Sequence, residues 1–175
     1  ISTGGMAEVY KAQTSDGKHF AIKRILPEYS QNKRFIQMFI DEARVSLSLR
    51  DPNIVKVFDI GILEDNTYFL AMEYIEGKNL FEIISELKKT CKVLPVDLSV
   101  CITIAILDGL SYAHNIRDIY NRDLKIVHQD INPPNIMISY SGDVKILDFG
   151  IAQCLNYENL QSIEERIIKG KLGYM

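Results

Sequence analysis

Asn135 and Asp148 are spaced so that a β-hairpin would bring their side chains together. Two short apolar segments of equal length, 136–139 and 144–147, lie between them, joined by a Tyr-Ser-Gly-Asp turn. Directly opposed residues of an antiparallel pair have Cβ atoms only ~4.5–5.5 Å apart. A carboxylate beside an amide oxygen suits Mg²⁺, which usually takes one or two protein carboxylates plus phosphates and water. On this pattern alone, a plain hairpin with turn-favouring residues at its ends is the better-supported interpretation.

Asp130 lies five residues before Asn135 and adds a third polar group at the same end of the hairpin. Pro133 and Pro134 exclude a regular helix between them, so the segment is predicted to be a shaped loop. An aspartate beside a metal-bound phosphate can orient an alcohol and accept its proton. The three residues together favour a phosphoryl-transfer site over an isolated hairpin.

Lys23 and Glu42 are two charges on largely apolar faces. Lys23 shares a predicted strand face with Ala21 and Ile25, and Glu42 lies on a helical stripe that includes Phe39. Burying either charge alone would be costly, so we expect the two to form an ion pair that fixes the ammonium where it can bind phosphate. The alternative is that both side chains extend into solvent.

The first residues of the chain, STGGMAEVY, lead from a glycine-bearing turn into a strand. Because glycine lacks a Cβ, backbone amides near Gly4 and Gly5 could approach a phosphate closely. Two adjacent glycines are weak support for such a site without the other residues.

Hydrophobic periodicity indicates the elements that would position these residues. Residues 19–25 alternate as a strand does, whereas 32–50 carry apolar residues at helical spacing up to Asp51-Pro52-Asn53. A break near Gly77 separates a β-rich part, residues 1–74, from a mainly helical part, residues 75–175, and a cleft between such lobes commonly binds a ligand. The remaining predicted elements are strands at 55–63 and 68–73, helices at 80–89 and 96–114, and a loop at 115–125.

Composition excludes several classes of protein. The chain has 175 residues, 20 Lys+Arg against 23 Asp+Glu, and a formal net charge of −3. That balance lacks the basic excess expected for nucleic acid or anionic lipid binding. The longest uninterrupted apolar stretches are far shorter than the ~20 residues of a membrane span, so no membrane contact is expected. The three cysteines, Cys91, Cys101 and Cys154, have no metal-site spacing and are predicted to be small buried residues.

With these residues in order, the sequence resembles a protein kinase, specifically a bacterial serine/threonine kinase of the eukaryote-like (Hanks) type. The resemblance implies a two-lobed α+β fold, with a strand-rich N-lobe at 1–74 and a truncated, mainly helical C-lobe at 75–175. It runs the whole length of the chain, through the segments GGMAEVYKA, FAIK, FIDEAR, DPNIVKVFDIG, AMEYIEG, VHQDINPPNIMIS, VKILDFGIA and GKLGYM.

The resemblance also implies a role for each matching residue. Asp130 would be the catalytic base, Lys23 would bind the α- and β-phosphates of ATP while paired with Glu42, and Asn135 and Asp148 would hold Mg²⁺. Asn132 stands at a further catalytic position. His128 and Phe149 would belong to the packed spine between the lobes. The nucleotide-binding set would be Ile1, Gly4, Gly5, Val9, Ala21, Lys23, Met72 as gatekeeper, Glu73 and Ile75 in the hinge, and Met137.

The sequence departs from the family pattern at several positions. Ser2 and Ala7 replace two glycines of GxGxxG, and in HQDINPPN Gln129 replaces Arg and Asn132 replaces Lys. The usual cation beside the transferring phosphoryl is therefore absent. The loss of the Arg removes a guanidinium that pairs with an activation-loop phosphate in many relatives, and residues 151–175 contain only one Ser, Ser162. We therefore expect activity that does not depend on activation-loop phosphorylation, and a Ser162→Ala variant with greatly reduced turnover would contradict this.

Three functions remain open from the sequence. An active kinase would transfer the γ-phosphoryl of Mg-ATP to Ser or Thr hydroxyls of cytoplasmic protein substrates. A pseudokinase would bind nucleotide and act as a scaffold, and a small-molecule phosphotransferase would use the same HxDxxxxN loop. We also expect the chain to be part of a longer protein, in which a sensor or membrane domain is possible.

Overall fold

The computed structural model describes residues 2–3, 7–118 and 120–149. A five-stranded antiparallel sheet forms most of the first half of the chain. In spatial order its strands are β1 (Ser2–Thr3), β2 (Ala7–Gln13), β3 (His19–Ile25), β5 (Tyr68–Glu73) and β4 (Val57–Ile62).

The central strand β3 confirms the prediction of a strand at 19–25. It pairs with β2 on one side and β5 on the other, so that Lys23 lies opposite both Val9 and Leu70. Ala21 and Ile25, two residues to either side of Lys23, are buried. Because side chains alternate along a strand, Lys23 projects from the same face as these two core residues.

Helix α1 (Lys33–Ser48) covers that face of the sheet. It begins after Asn32, whose side chain accepts hydrogen bonds from the backbone N–H groups of Arg34 and Phe35. Phe39 and Ala43 are buried against the sheet core, which places the apolar stripe of the helix inward. The predicted helix at 32–50 is therefore confirmed, with ends one to two residues inside the predicted bounds.

A second, three-stranded antiparallel sheet follows and consists of β6 (Gly77–Asn79), β7 (Ile136–Ser139) and β8 (Val144–Ile146). The β7–β8 hairpin confirms the sequence prediction, although β8 ends one residue earlier than expected. A Cβ at Gly77 would lie only 2.0 Å from the backbone oxygen of Ile138. Only glycine allows β6 to approach β7 this closely.

Two helices connect these sheet segments. Helix α2 (Leu80–Lys89) has the predicted bounds and starts with a capping box between Asn79 and Glu82. Helix α3 (Val96–Asn115) packs on β8 through Gly109 and Ala113, both buried. A Cβ at Gly109 would lie 3.0 Å from the side chain of Ile146, so the glycine allows close packing of helix and sheet.

Helix α3 also presents an apolar face to solvent in the described structure. Val100, Ile104 and Leu107 on this face are 51%, 53% and 58% exposed. With a mean hydropathy of 1.6 in an 18-residue window, α3 is long and apolar enough to cross a membrane by length and composition alone. Isolated polar residues such as Thr103 keep the uninterrupted apolar runs of α3 short, and the expectation that this chain does not contact a membrane stays a prediction.

The segment before β4 joins the two sheets. Val55 donates its backbone N–H to Ile146 O at 2.9 Å, and Ile146 donates to Asn53 O at 2.7 Å. The side-chain amide of Asn53 donates to Val144 O at 3.0 Å. β4 therefore starts at Val57 rather than at the predicted residue 55, because the backbone at 53–55 is already paired with β8.

The described residues of the predicted loop at 115–125 contain no strand and, after Asn115, no helix, with one isolated antiparallel bridge between Arg117 and Asp123. One further expectation differs from the structure. Cys91 and Cys101 are exposed, not buried, because Cys91 follows the end of α2 and Cys101 lies on the solvent-facing side of α3. Cys154 and Ser162 lie outside the described residues.

Candidate functional site

Lys23 and Glu42 form the ion pair that the sequence predicted. The ammonium of Lys23, on β3, lies 2.8 Å from Glu42 Oε1, on α1. Their side chains are 14% and 12% exposed, so the pair is nearly enclosed between sheet and helix. The alternative, in which both charges extend into solvent, is excluded.

Asp148 also contacts Lys23, with 2.9 Å between Asp148 Oδ1 and the ammonium. Burial would lower the pKa of Lys23, but the attraction of the Asp148 and Glu42 carboxylates outweighs it and raises this pKa. The two carboxylates therefore favour the charged form of Lys23. Burial raises the pKa of Glu42, Asp148 adds to this effect, and the charge of Lys23 opposes it.

Asp130 is held by two amides. Asn132 Nδ2 donates to Asp130 Oδ1 at 2.8 Å, and Asn135 Nδ2 donates to Asp130 Oδ2 at 3.0 Å. Both amides also donate to the backbone oxygen of Asp130, at 3.1 and 2.9 Å. Pro133 and Pro134 begin the 3-10 turn Pro133–Asn135, which directly follows Asn132 and ends at Asn135.

His128 connects this loop to the end of β8. His128 Nε2 lies 2.8 Å from Leu147 O, and the backbone N–H of Asp130 donates to His128 Nδ1 at 3.2 Å. A carbonyl can only accept and an N–H can only donate, so these contacts require a neutral ring protonated on Nε2. Burial lowers the pKa of His128, which favours the same neutral form.

Two residues of the site have unusual backbone conformations. Gln129 has a φ of 63° and Asp148 a φ of 39°, in the left-handed region that is costly for residues other than glycine. Gln129 directly precedes Asp130, and Asp148 is itself the carboxylate that contacts Lys23. Such strain is found most often at functional sites, and no residue pattern in the sequence indicated it.

Backbone hydrogen bonds join the two halves of the site. Leu147, next to Asp148, donates its N–H to Asn135 O at 2.8 Å. Phe149 is buried, and its ring centroid lies 4.7 Å from that of His128. The sequence prediction that Asn135 and Asp148 emerge at one end of the hairpin, with Asp130 beside them, is therefore consistent with the structure.

The described residues contain no group of three or more His, Cys, Asp or Glu side chains that could hold a metal. A Mg²⁺ site needs fewer protein ligands, since this ion keeps several waters and takes phosphate oxygens. Because the amide nitrogen of Asn135 is bound to Asp130, its oxygen is the atom that can coordinate a cation, together with the carboxylate of Asp148. The donor set therefore fits Mg²⁺ bound with phosphates.

The residues predicted to surround a nucleotide base lie around the hinge. Ala21 and Met72 are buried cross-strand neighbours, and Val9 and Ile75 pack against the same apolar cluster. Met137 is partly buried on β7. The predicted residues Ile1, Gly4 and Gly5 lie outside the described residues.

Comparison with known proteins identifies the family. The sequence profile of the protein kinase domain matches residues 1–175. The chain belongs to the protein kinase family. This match confirms the kinase fold expected from the sequence. The matched part of the domain includes the elements that carry Lys23 and Asp130.

Similar proteins are known from several bacteria. The tyrosine-protein kinase MasK of Myxococcus xanthus is 35% identical over 179 residues, covering 100% of this kinase chain and 27% of MasK. The serine/threonine-protein kinase PrkC of Bacillus subtilis is 37% identical over 157 residues, covering 89% of this kinase chain and 22% of PrkC. The chain thus spans about a quarter of the length of these curated relatives.

Solved structures support the same fold. The kinase domain of Mycobacterium tuberculosis PknI matches with a TM-score of 0.69 and 28% identity, covering 87% of this kinase chain and 57% of that one. Members of this family use ATP and depend on a metal ion.

Sequence reasoning missed several contacts of this kinase site. It assigned Lys23 to phosphate and Asp148 to metal, but not the ion pair between them. It identified the Glu73 backbone as hinge, but not the ion pair of the Glu73 side chain with Lys145, at 3.2 Å. Val144 and Ile146 project from the strand face opposite Lys145, so the alternation gave no signal for a partner of this lysine.

Proposed function

We propose that the protein is an active kinase that transfers the γ-phosphoryl of Mg-ATP to Ser or Thr hydroxyls of protein substrates. The observation that carries this proposal is the Asp130 carboxylate, fixed by one amide on each oxygen and hydrogen-bonded into the frame that holds Lys23 and Asp148. The relatives named serine/threonine kinases support the choice of acceptor.

Lys23 would bind phosphate oxygens of the nucleotide. Its contact with Glu42 would keep the ammonium in place when the Asp148 carboxylate binds Mg²⁺. Val9, Ala21, Met72 and Met137 would enclose the adenine, and the backbone of Glu73 to Ile75 would bind its polar edge. Asn135 and Asp148 would hold Mg²⁺, which when bound supplies charge neutralisation for the phosphates.

Asp130 would orient the acceptor hydroxyl and accept its proton. The bond from the acceptor oxygen to the γ-phosphorus forms as the bond from that phosphorus to the β,γ-bridging oxygen breaks, and ADP leaves. Each Asp130 oxygen accepts only one side-chain amide, so lone pairs remain for the incoming hydroxyl. The Asp130 carboxylate thus has a fixed orientation and keeps lone pairs that can accept the proton of the hydroxyl.

Tyrosine is the second candidate acceptor. MasK, of which this chain matches 27%, is named a tyrosine-protein kinase, and Asn132 stands where the serine/threonine pattern has lysine. A scaffold without activity and a small-molecule phosphotransferase are two further candidate functions. We propose a cytoplasmic location for the site, because its substrates would be cytoplasmic proteins and ATP.

Transfer of ³²P from γ-labelled ATP distinguishes these candidate functions directly. The intact protein is incubated with Mg²⁺ and separate Ser/Thr peptides, Tyr peptides and amino alcohols. We expect label on Ser/Thr peptides, with a loss of ~10²–10⁴-fold in Asp130→Asn, as for removal of a catalytic base.

Asp16→Asn, an exposed aspartate in the β2–β3 turn, is the matched control and should leave the rate unchanged. Label on Tyr peptides alone would establish the second acceptor, and label on amino alcohols the small-molecule enzyme. Nucleotide binding without any transfer would establish a scaffold.

A further inference from the structure

Asn132 is a buried polar residue, and only the nitrogen of its side-chain amide makes hydrogen bonds. It is 4% exposed, and its amide nitrogen donates to Asp130 Oδ1 at 2.8 Å. Its amide oxygen is the one buried side-chain oxygen or nitrogen without a hydrogen-bond partner among the described residues. A buried acceptor without a donor lowers the free energy of unfolding, so this arrangement is costly for stability.

The orientation of the amide is set by its neighbours. Asp130 presents two acceptors to Asn132, its backbone oxygen at 3.1 Å and its carboxylate at 2.8 Å. Rotating the amide by half a turn would place oxygen against both acceptors and lose both hydrogen bonds. The unpartnered oxygen is therefore a consequence of the bonds that hold Asp130.

Asn132 and Asn135 act on different oxygens of the same carboxylate. Asn135 donates to Oδ2 at 3.0 Å, whereas Asn132 donates to Oδ1 at 2.8 Å. With one donor on each oxygen, the carboxylate plane is fixed against rotation about its terminal torsion, which is otherwise broad. Loss of either donor would leave the carboxylate free to turn.

We propose that Asn132 is a positioning residue, which orients the Asp130 carboxylate for the acceptor hydroxyl through a neutral amide in place of a lysine. The proposal rests on the proposed kinase function. A lysine at this position would bring a positive charge, whereas the amide of Asn132 donates a hydrogen bond to the aspartate without one.

The Asn132→Leu variant of the intact protein tests this role. Leucine has nearly the same shape, removes the donor, and also removes the unpartnered oxygen, so the melting temperature should be unchanged or higher. We expect kcat for peptide phosphorylation to fall roughly tenfold to a hundredfold, as for other misplaced catalytic groups, with KM for ATP unchanged.

Two further variants complete the design. Asn132→Lys restores a donor to Asp130 and should recover most of the lost kcat. Thr67→Val removes the hydrogen bonds of another buried polar residue. Thr67 lies in the turn between β4 and β5, outside the proposed site, so kcat should be unchanged. A kcat of Asn132→Leu equal to that of the wild type, or a fall in kcat matched by a fall in melting temperature and in ATP binding, would overturn the proposal.

Crystal structures of wild type and Asn132→Leu give a readout that does not depend on activity. The Asp130 carboxylate should be rotated or disordered in the variant, while Lys23, Glu42 and Asp148 keep their contacts. An ordered carboxylate in the wild-type orientation would refute the positioning role. Absence of phosphoryl transfer by the wild-type protein would instead refute the proposed function, so the two failures are distinguishable.

Discussion

Three charges in close contact dominate the site at the scale of single residues. Lys23 lies within 2.9 Å of both Glu42 and Asp148, although one cation cannot neutralise two carboxylates. Asp148 is 37% exposed and Glu42 12%, so Asp148 is the more accessible of the two carboxylates. That accessibility suits a residue that is proposed to receive a divalent cation with its nucleotide.

Replacing Glu42 by Gln should impair phosphoryl transfer more than stability. Asp148 still pairs with Lys23 in the variant, so no buried charge is left alone, and the loss of a buried carboxylate offsets the loss of the pair. The glutamine oxygen can still accept a hydrogen bond from Lys23 but carries no charge, so it would hold the ammonium less firmly against the attraction of Asp148. We expect kcat/KM for ATP to fall roughly tenfold to a hundredfold.

Asp41→Asn is the matched control, because Asp41 precedes Glu42 on α1 and its ion pair with Arg44 is exposed. Steady-state kinetics and urea unfolding of both variants check the prediction. Equal effects of the two substitutions would contradict a special role for Glu42.

His128 should make stability dependent on pH. Because burial lowers its pKa in the folded state, only the unfolded state binds a proton just below the ordinary pKa of about 6.5. The free energy of unfolding should therefore fall as the pH drops below that value, by at most ~1.4 kcal/mol per pH unit for one proton. Urea unfolding at pH 7.5 and 5.5 measures this change.

His128→Gln provides the comparison for that measurement. Glutamine keeps polar atoms at the position but does not titrate, so the part of the pH dependence that belongs to His128 should disappear. An unchanged pH dependence in the variant would mean that other groups are responsible.

Residue types and spacing were sufficient to predict the Lys23–Glu42 pair and the grouping of Asp130, Asn135 and Asp148. They were not sufficient for Asn132, which was assigned by its position in the family pattern. Its hydrogen bonds depend on the φ of 63° at Gln129 and on the 3-10 turn after it. Such local backbone geometry has no counterpart in residue spacing.

At the scale of elements, the structure joins its two sheets by backbone pairing and one ion pair. The residues before β4 bind β8, and Glu73 at the end of β5 contacts Lys145 on β8 with 3.2 Å between the charged atoms. Glu73 Oε2 also accepts the backbone N–H of Lys56 at 3.2 Å. The end of β5 is therefore tied to β8 by the Glu73–Lys145 ion pair.

Lys145→Met should lower the free energy of unfolding by about 1 kcal/mol, the upper range for an ion pair that is not fully exposed. The Lys145 side chain is 16% exposed, so little water screens its contact with Glu73. Lys89→Met removes a pair with Glu86 in which both side chains are more than half exposed, and should cost clearly less than Lys145→Met, because water screens the exposed pair. Urea unfolding compares them, and equal costs would contradict the account.

Elements were predicted better than their contacts. α2 has the predicted bounds, and β3 and the β7–β8 hairpin follow from alternation and turn residues. The parallel bridge between Ile54 and Ile146 could not be predicted, because it pairs residues 92 positions apart in a segment with no strand pattern of its own. Long-range pairing of this kind is decided by packing, not by local periodicity.

At the scale of the whole molecule, the exposed apolar face of α3 is the largest departure from a self-sufficient domain. A face with Val100, Ile104 and Leu107 half exposed favours association or coverage by other protein. The chain covers 57% of the PknI kinase domain chain, so related domains contain further protein that this chain does not match.

A polypeptide limited to residues 1–175 should therefore be unstable and barely active. We expect it to bind a dye specific for exposed apolar surface and to melt without a cooperative transition, whereas the intact protein should melt cooperatively. Calorimetry measures whether the melting transition is cooperative, and an ATP turnover assay measures the remaining activity. A cooperative transition with robust turnover from residues 1–175 alone would contradict this prediction.

The central claim is that one site, built from Lys23, Glu42, Asp130, Asn135 and Asp148, binds Mg-ATP and directs the acceptor. A crystal structure of the intact protein with Mg²⁺ and a non-hydrolysable ATP analogue tests it most directly. We expect phosphate oxygens on Lys23, the metal on the oxygens of Asn135 and Asp148, and Asp130 facing the γ-phosphate. Nucleotide bound in a different cavity, or a metal held without Asn135 and Asp148, would contradict it.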